Sequence, residues 1–234
     1  MENILHFSEL DSTNMYLKTH YAELTDGTVV VADTQTAGRG RFDRRWISQE
    51  GGLYFSVLLK PSKTDFMANF TQLMALSVCR AAEDLGVKAT IKWPNDVLAD
   101  GKKLCGILSE AVVRENKVTC VVVGCGVNVE QKDVSFVGQP AVSLANLGVR
   151  VSRQTFLQKT LAYFWQEYPA VEEKGFLALK EAYLKRFHYI GKTLHIENGA
   201  KNVTGIATGI SDNGTLLMDG DCGPEEILIG DICV

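Results

Sequence analysis

From about Tyr189 to the C terminus the chain drops helical periodicity and becomes a series of short β-prone segments. This change of texture constrains the fold more than any other feature. Thr193 to Ile196, Val203 to Ile210, Leu216 to Asp219 and Ile227 to Ile229 are separated by Asn198-Gly199, Asn213-Gly214 and the stretch Gly220 to Pro224. Turn-forming pairs at such short intervals predict an all-β module closed into a small barrel, roughly 45 residues long. The boundary is placed near His188, giving segments 1–187 and 188–234.

The longer segment alternates strand-like and helix-like stretches. Ile4 to Phe7 reads as a short strand, and Asp11 to Asn14 offers caps for a helix reaching about Ala22. Gly27 to Ala32 and Leu53 to Leu59 read as strands, with a polar, glycine-rich loop from Thr34 to Gly52 between them. Phe66, Phe70, Leu73, Met74, Val78, Ala81 and Leu85 recur at helical spacing before Gly86. Strands follow at Ala89 to Trp93, Val97 to Ala99, Lys103 to Val113 and Val118 to Val129, then helices at Phe156 to Tyr168 and Phe176 to Phe187. A net charge of −4 argues against general nucleic-acid binding. No secretory signal opens the chain, and no apolar run is long enough to span a bilayer. Six cysteines without a C-x-x-C pair suit reduced thiols. A cytoplasmic protein away from membranes is expected.

Four segments carry chemistry. Gln35 to Trp46 sets four arginines against one aspartate on a backbone loosened by Gly38 and Gly40. Guanidinium forks and approachable backbone N–H groups suit an anion, although a solvated basic loop has similar composition. Trp46 argues for the anion site. Lys92-Trp93-Pro94-Asn95-Asp96 could hold a phosphate and Mg²⁺, or be a polar β-turn. In Lys103 to Glu110, strict alternation puts Lys103 on the face of Cys105, Ile107 and Ser109, either snorkelling or placed for an anion. In Gly124 to Val129, alternate glycines open a slot for a flat ligand, or permit close packing of another element.

In order and combination, these segments resemble the biotin–protein ligase family. The carriers are D-S-T-N (Asp11 to Asn14), Q-T-A-G-R-G-R (Gln35 to Arg41), W-x-S with G-G-L-Y-F-S (Trp46, Ser48, Gly51 to Ser56), K-W-P-N-D (Lys92 to Asp96), K-L-C-G-I-L-S-E (Lys103 to Glu110) and G-C-G-V-N (Gly124 to Asn128). The resemblance covers roughly the first 190 residues and continues weakly into the tail, through Gly209-Ile210 and Gly230 to Ile232. It implies an α+β (mixed α/β) fold: a catalytic domain with a mixed sheet flanked by helices, then a small C-terminal SH3-like β-barrel. It also implies ATP-dependent activation of biotin to biotinyl-5′-AMP and transfer to a lysine of a biotin carboxyl carrier protein or domain.

By the same resemblance, Ser12, Thr13, Asn14 and Gln35 meet the ureido end of biotin. Gly38, Arg39, Gly40 and Arg41 close over its carboxylate and the α-phosphate, and Gly106, Gly124 and Gly126 let it lie against backbone. Lys103, Arg39 and Arg41 are the catalytic cations. Arg41, Trp46, Lys92, Asn95, Asp96 and Asn128 serve ATP, with Mg²⁺ at Asn95 and Asp96 and Trp46 over the adenine side. Asp43 stands where many members have glycine. With Asp43 alone near four arginines, the loop from about Thr36 to Ser48 is expected to be mobile until a bound anion supplies counter-charge. D-S-T-N lies so early that no winged-helix domain precedes it, so no repressor role and no specific DNA affinity are expected. Homodimerisation stays open. The alternative is a lipoate or octanoate ligase or transferase of the same fold, whose R-R-x-x-G-G-G motif this chain lacks.

Overall fold

The computed structural model describes residues 3–42, 44–135, 140–197, 202–220 and 223–233, so Asp43 and the Asn198-Gly199 turn lie outside the described residues. Seven strands form the larger sheet: β1 (Ile4–Leu10), β2 (Val29–Gln35), β3 (Gly52–Leu59), β4 (Ala89–Lys92), β5 (Asp96–Ala99), β6 (Lys102–Arg114) and β7 (Lys117–Asn128). Their order is β1-β2-β3-β7-β6-β5-β4; β1 and β2 run parallel and every other pair antiparallel, the mixed sheet expected.

Helices cover both faces. α1 (Thr13–His20) starts where extended Ser12 caps Met15 N, and it buries Leu17 against Val30, Leu58, Cys120 and Val122. α2 (Asn69–Glu83) buries Phe70, Leu73, Met74, Val78 and Ala81 on the opposite face, and Gly86 after it takes φ +81°. β3 lies between these layers and is buried along its whole length, which explains why it is apolar apart from Ser56, whose hydroxyl is taken up by Thr13 and Asn14. α3 (Arg153–Lys174), capped by Ser152, continues through Pro169, past the end the periodicity suggested. Its interior proline costs about 3 kcal/mol, offset by burial of Phe156, Leu161, Phe164 and Val171 in the core. The expected helix from Phe176 to Phe187 is instead a 3₁₀ turn, Gly175–Ala178, and a short α4 (Lys180–Leu184). No described helix is long and apolar enough to cross a membrane.

The second sheet holds β8 (Thr193–Glu197), β9 (Asn202–Ile210), β10 (Leu216–Gly220), β11 (Gly223–Ile227) and β12 (Asp231–Cys233) in the antiparallel order β11-β10-β9-β8-β12. The sequence reading misplaced its last part. Leu228 and Ile229 are exposed rather than part of a strand, while Pro224, taken as a turn residue, sits in β11. β11 is an edge strand, where a residue without an N–H is tolerated. The two sheets share one hydrophobic core. Trp93 Nε1 and Gln72 Nε2 both donate to Gly214 O, at 3.0 and 2.7 Å, and Asn69 Nδ2 donates to Asn213 O at 2.9 Å. Asp231, Ile232 and Cys233 of β12 come to line one cleft with residues of β6 and β7.

Candidate active site

A cleft of about 570 Å³ lies between β6, β7, the arginine loop and β12. Its floor is made flat by register: Gly106 pairs with Gly126 and Leu108 with Gly124. The indole of Trp46 lies across the first glycine pair. A Cβ at Gly106 would stand 2.7 Å from the ring, and one at Gly126 2.5 Å. The slot opened by glycines is therefore filled by the loop's own tryptophan. Trp46 Nε1 is buried with no hydrogen-bond partner among the described residues.

Strict alternation along β6 fails at one point, and the failure determines where Lys103 points. β5 pairs Val97 with Cys105 but Leu98 with Lys103, so Leu104 is an extra, bulged residue. Leu104 and Cys105 both enter the core, while Lys103 turns to the cleft beside Gly106. The expected shared face with Cys105 and Ile107 is thus corrected. Lys103 Nζ lies 2.9 Å from Asp96 Oδ1 and 5.4 Å above the Trp46 ring. Cys105 lies 3.5 Å from Cys125 beneath the floor, and burial pushes its thiol well up.

The deep polar end comes from the start of α1. Thr13 donates from N and Oγ1 to Gln35 Oε1, at 2.9 and 3.2 Å, and Gln35 Nε2 donates to Ser48 Oγ at 2.8 Å. Asn14 Nδ2 donates to Leu108 O at 3.1 Å and to Glu110 Oε2 at 2.9 Å, while its oxygen lies 2.6 Å from Ser56 Oγ. Glu110 also takes Lys18 Nζ at 2.6 Å and has Arg39 at 3.7 Å. Burial alone would raise the Glu110 pKa; hydrogen bonds from Lys18 and Asn14, with the charges of Lys18 and Arg39, outweigh it and hold the carboxyl below its usual value.

Glu110 thus stabilises the fold above the unfolded carboxylate pKa of about 4.3, and that contribution is lost as pH falls through the lower folded value. Glu110→Gln should reduce the melting temperature near neutrality, by about 2–4 °C per kcal/mol lost. The difference from wild type should vanish in acid. Thermal melts that keep a constant gap into strong acid would show that the charge of Glu110 plays no part.

The arginine loop folds back on itself. Gly40 N donates to Arg44 O at 2.7 Å and Trp46 N to Gly38 O at 2.9 Å. Arg41 Nη1 donates to Asp231 Oδ1 at 2.7 Å, Gly230 O at 3.1 Å and Asn95 Oδ1 at 3.1 Å, and Arg44 pairs with the other oxygen of Asp231. Burial lowers the Arg41 pKa, against the opposing pull of Asp231 and Asp96. The expectation that the loop arginines lack counter-charges is therefore corrected for three of the four: Asp231 supplies one to Arg41 and Arg44, and Glu110 to Arg39, from distant strands.

With this geometry in place, the chain can be set beside known proteins. Residues 7–128 match the model of the Biotin/lipoate A/B protein ligase family, and residues 189–234 match that of the Biotin protein ligase C terminal domain. The chain is 31% identical over 228 residues to the Biotin–[acetyl-CoA-carboxylase] ligase of Paracoccus denitrificans, covering 93% of this chain and 94% of that one. It belongs to the biotin protein ligase family. The Bifunctional ligase/repressor BirA of Bacillus subtilis is 36% identical over 214 residues, and the match spans 88% of this chain but 66% of that protein. The solved biotin protein ligase from Aquifex aeolicus in complex with biotin and ATP superposes with a TM-score of 0.88 at 33% identity, covering 100% and 98% of the two chains.

Of the biotin-ligase residues expected from sequence, Ser12, Thr13, Asn14, Gln35, Arg39, Gly40, Arg41, Trp46, Lys92, Asn95, Asp96, Lys103, Gly106, Gly124 and Gly126 line the cleft. Two do not. Gly38 faces the loop's own return, since a Cβ there would stand 2.5 Å from Trp46 O. Asn128 is buried at the end of β7, on the face that Gly124 and Gly126 also present, where Nδ2 donates to Lys103 O at 3.3 Å, and it braces the Lys103 backbone. Glu110, Ser56 and Asp231 escaped notice although each stands in a quoted motif or in the tail. No local signal marks them: Asp231 follows Glu225 and Glu226 in a tail without Lys or Arg, and Ser56 and Glu110 stand in largely apolar strands.

Proposed function

We propose that this protein activates biotin with ATP to biotinyl-5′-AMP and transfers the biotinyl group to a lysine of a biotin carboxyl carrier protein or domain. The observation that carries the reading is one cleft that joins a neutral polar end, a glycine floor and the cations Arg39, Arg41 and Lys103. The carboxylate of biotin attacks the α-phosphorus of ATP and pyrophosphate leaves. The acceptor amine then attacks the carbonyl of the mixed anhydride, loses a proton and expels AMP. No protein nucleophile is needed. Two anions must meet in the first step, so cations and alignment are what the chain has to supply.

In this reading Ser12, Thr13, Asn14 and Gln35 take the ureido ring, and Arg39, Arg41 and Lys103 face the carboxylate and α-phosphate. Trp46 leaves the floor as the ligand enters, and Lys92 and Asn95 serve the ATP phosphates. Among the described residues no cluster of three His, Cys, Asp or Glu could hold a metal unaided. Mg²⁺ commonly takes one or two carboxylates and completes its shell with phosphates and water. The side-chain oxygens of Asp96 and Asn95, at the mouth of the β4–β5 hairpin, fit that share. Mg²⁺ bound there would neutralise phosphate charge.

Biotin-dependent ATP–pyrophosphate exchange, followed by transfer to a carrier domain, tests the reading. Exchange with biotin and none with lipoate is expected; exchange supported by lipoate alone would move the chain to the other branch of the family. The floor offers a further check. A Cβ at Gly124 would stand 2.1 Å from Asn14 Oδ1, and Asn14 cannot yield without breaking bonds to Leu108 and Glu110. Gly124→Ala should weaken biotin binding about tenfold or more, the loss of one buried hydrogen bond. Calorimetry showing unchanged affinity would remove Asn14 from the biotin site.

A further inference from the structure

We infer that Asp231, on the last strand of the C-terminal module, is a positioning residue for Arg41. The inference rests on the ligase reading above but is carried by a separate set of contacts. β12 is only three residues long and is anchored by Ile232, buried and paired with Ile196 of β8. Alternation then turns Asp231 and Cys233 to the other face of the strand, and all three residues of β12 border the cleft. Asp231 is mostly buried, and both its oxygens are used: one meets Arg41 at 2.7 Å and the other meets Arg44.

Arg41 makes three side-chain bonds, and two of them, to Asp231 and Gly230 O, come from this module. The third is to Asn95, which itself donates to Ile107 O at 3.0 Å and so is fixed to the floor. All three bonds fall on Nη1, so the guanidinium is fixed between the two sheets and loses its rotamer freedom before ligand arrives, which is the condition for a cation that must act without reorganising. Asp231 touches no reacting atom. Its effect passes through Arg41, and it couples the small sheet to the chemistry of the large one. Arg44 shares the carboxylate but is 60% exposed, so the same pair holds it less firmly.

Asp231→Asn keeps the shape and removes the charge. Dissociation of synthetic biotinyl-5′-adenylate should become about tenfold faster, one charge-assisted bond's worth, and Asp231→Glu should restore most of the retention. In an Arg41→Ala background Asp231→Asn should add nothing. An equal acceleration in both backgrounds, or none in either, overturns the inference. Trypsin cleavage after Arg41 and Arg44 in the ligand-free protein gives an independent reading, expected to quicken in Asp231→Asn. If wild type does not bind the adenylate at all, the ligase reading fails while the trypsin comparison still tests the latch. Should Asp231→Asn not fold, Asp231→Ser enters the same cycle.

Discussion

Lys103→Ala is expected to lower biotin-dependent pyrophosphate exchange by about 10²–10³-fold while the fold stays intact. The bulge at Leu104 aims this lysine into the cleft, next to Gly106 and 2.9 Å from Asp96. It is 15% exposed, so its charge acts in a medium that screens poorly. In the adenylation step negative charge grows on oxygens that must approach each other, and a fixed ammonium there is worth several kcal/mol of barrier. Part of the loss in Lys103→Ala will come from leaving Asp96 unpaired. Asp96→Asn alone sets the baseline that separates the two: if unpaired Asp96 were the whole cause, adding Lys103→Ala to Asp96→Asn would cost nothing further. A further large loss is expected. A loss below about tenfold in the single variant would reduce Lys103 to a snorkelling strand-end residue, and circular dichroism with a thermal melt checks that the fold is kept.

The lysine also shows where sequence reading succeeds and where it stops. Elements with strong periodicity, such as α2 with Phe70, Leu73, Met74 and Val78, stood close to where the spacing put them. So did β3, whose short apolar and aromatic stretch ahead of Pro61 suits a strand buried on both faces. The face of Lys103 was read wrongly because alternation assumes that no residue is inserted, and Leu104 carries no local mark of a bulge. Pro224 misled for a related reason: proline argues against an interior strand, but position at the edge of a sheet is a property of the assembled fold.

The residues that touch ligand in the proposed reading were largely legible, because glycines, arginines and lysines in short motifs declare what they can bind. Their supports were not. Asp231 and Arg41 are 190 residues apart, and Glu110 and Asn14 are 96 apart. No periodicity or spacing connects such pairs; only the register of β6 and the docking of the second sheet do. Repulsion within the arginine loop was expected for the same reason, since only neighbours in sequence could be counted as counter-charges.

Arg41→Gly is expected to impair keeping the adenylate more than making it, because Lys103 and Arg39 still face the reacting oxygens in the proposed reading. Arg41 is 14% exposed and ties the loop to Asn95 on one side and to Gly230 and Asp231 on the other. Glycine removes all three bonds and follows Gly40 directly, so the segment gains backbone freedom where it had been pinned. Hydrogen bonds to charged groups are worth about 1.5–3 kcal/mol each, so loss of even one corresponds to roughly 10–10²-fold faster opening. The mixed anhydride is reactive toward any amine once outside, and its escape turns a selective enzyme into a source of acylating agent. Arg41→Gly incubated with biotin, ATP and an unrelated lysine-rich protein should therefore label that protein well above wild type. Lys103→Ala should not, because it impairs synthesis without opening the loop. Labelling no greater than wild type, with adenylate release equally slow, would mean that the loop does not retain the intermediate. Protection of the anhydride would then have to come from the floor and the polar end alone, where Trp46 and Asn14 are the residues left to test.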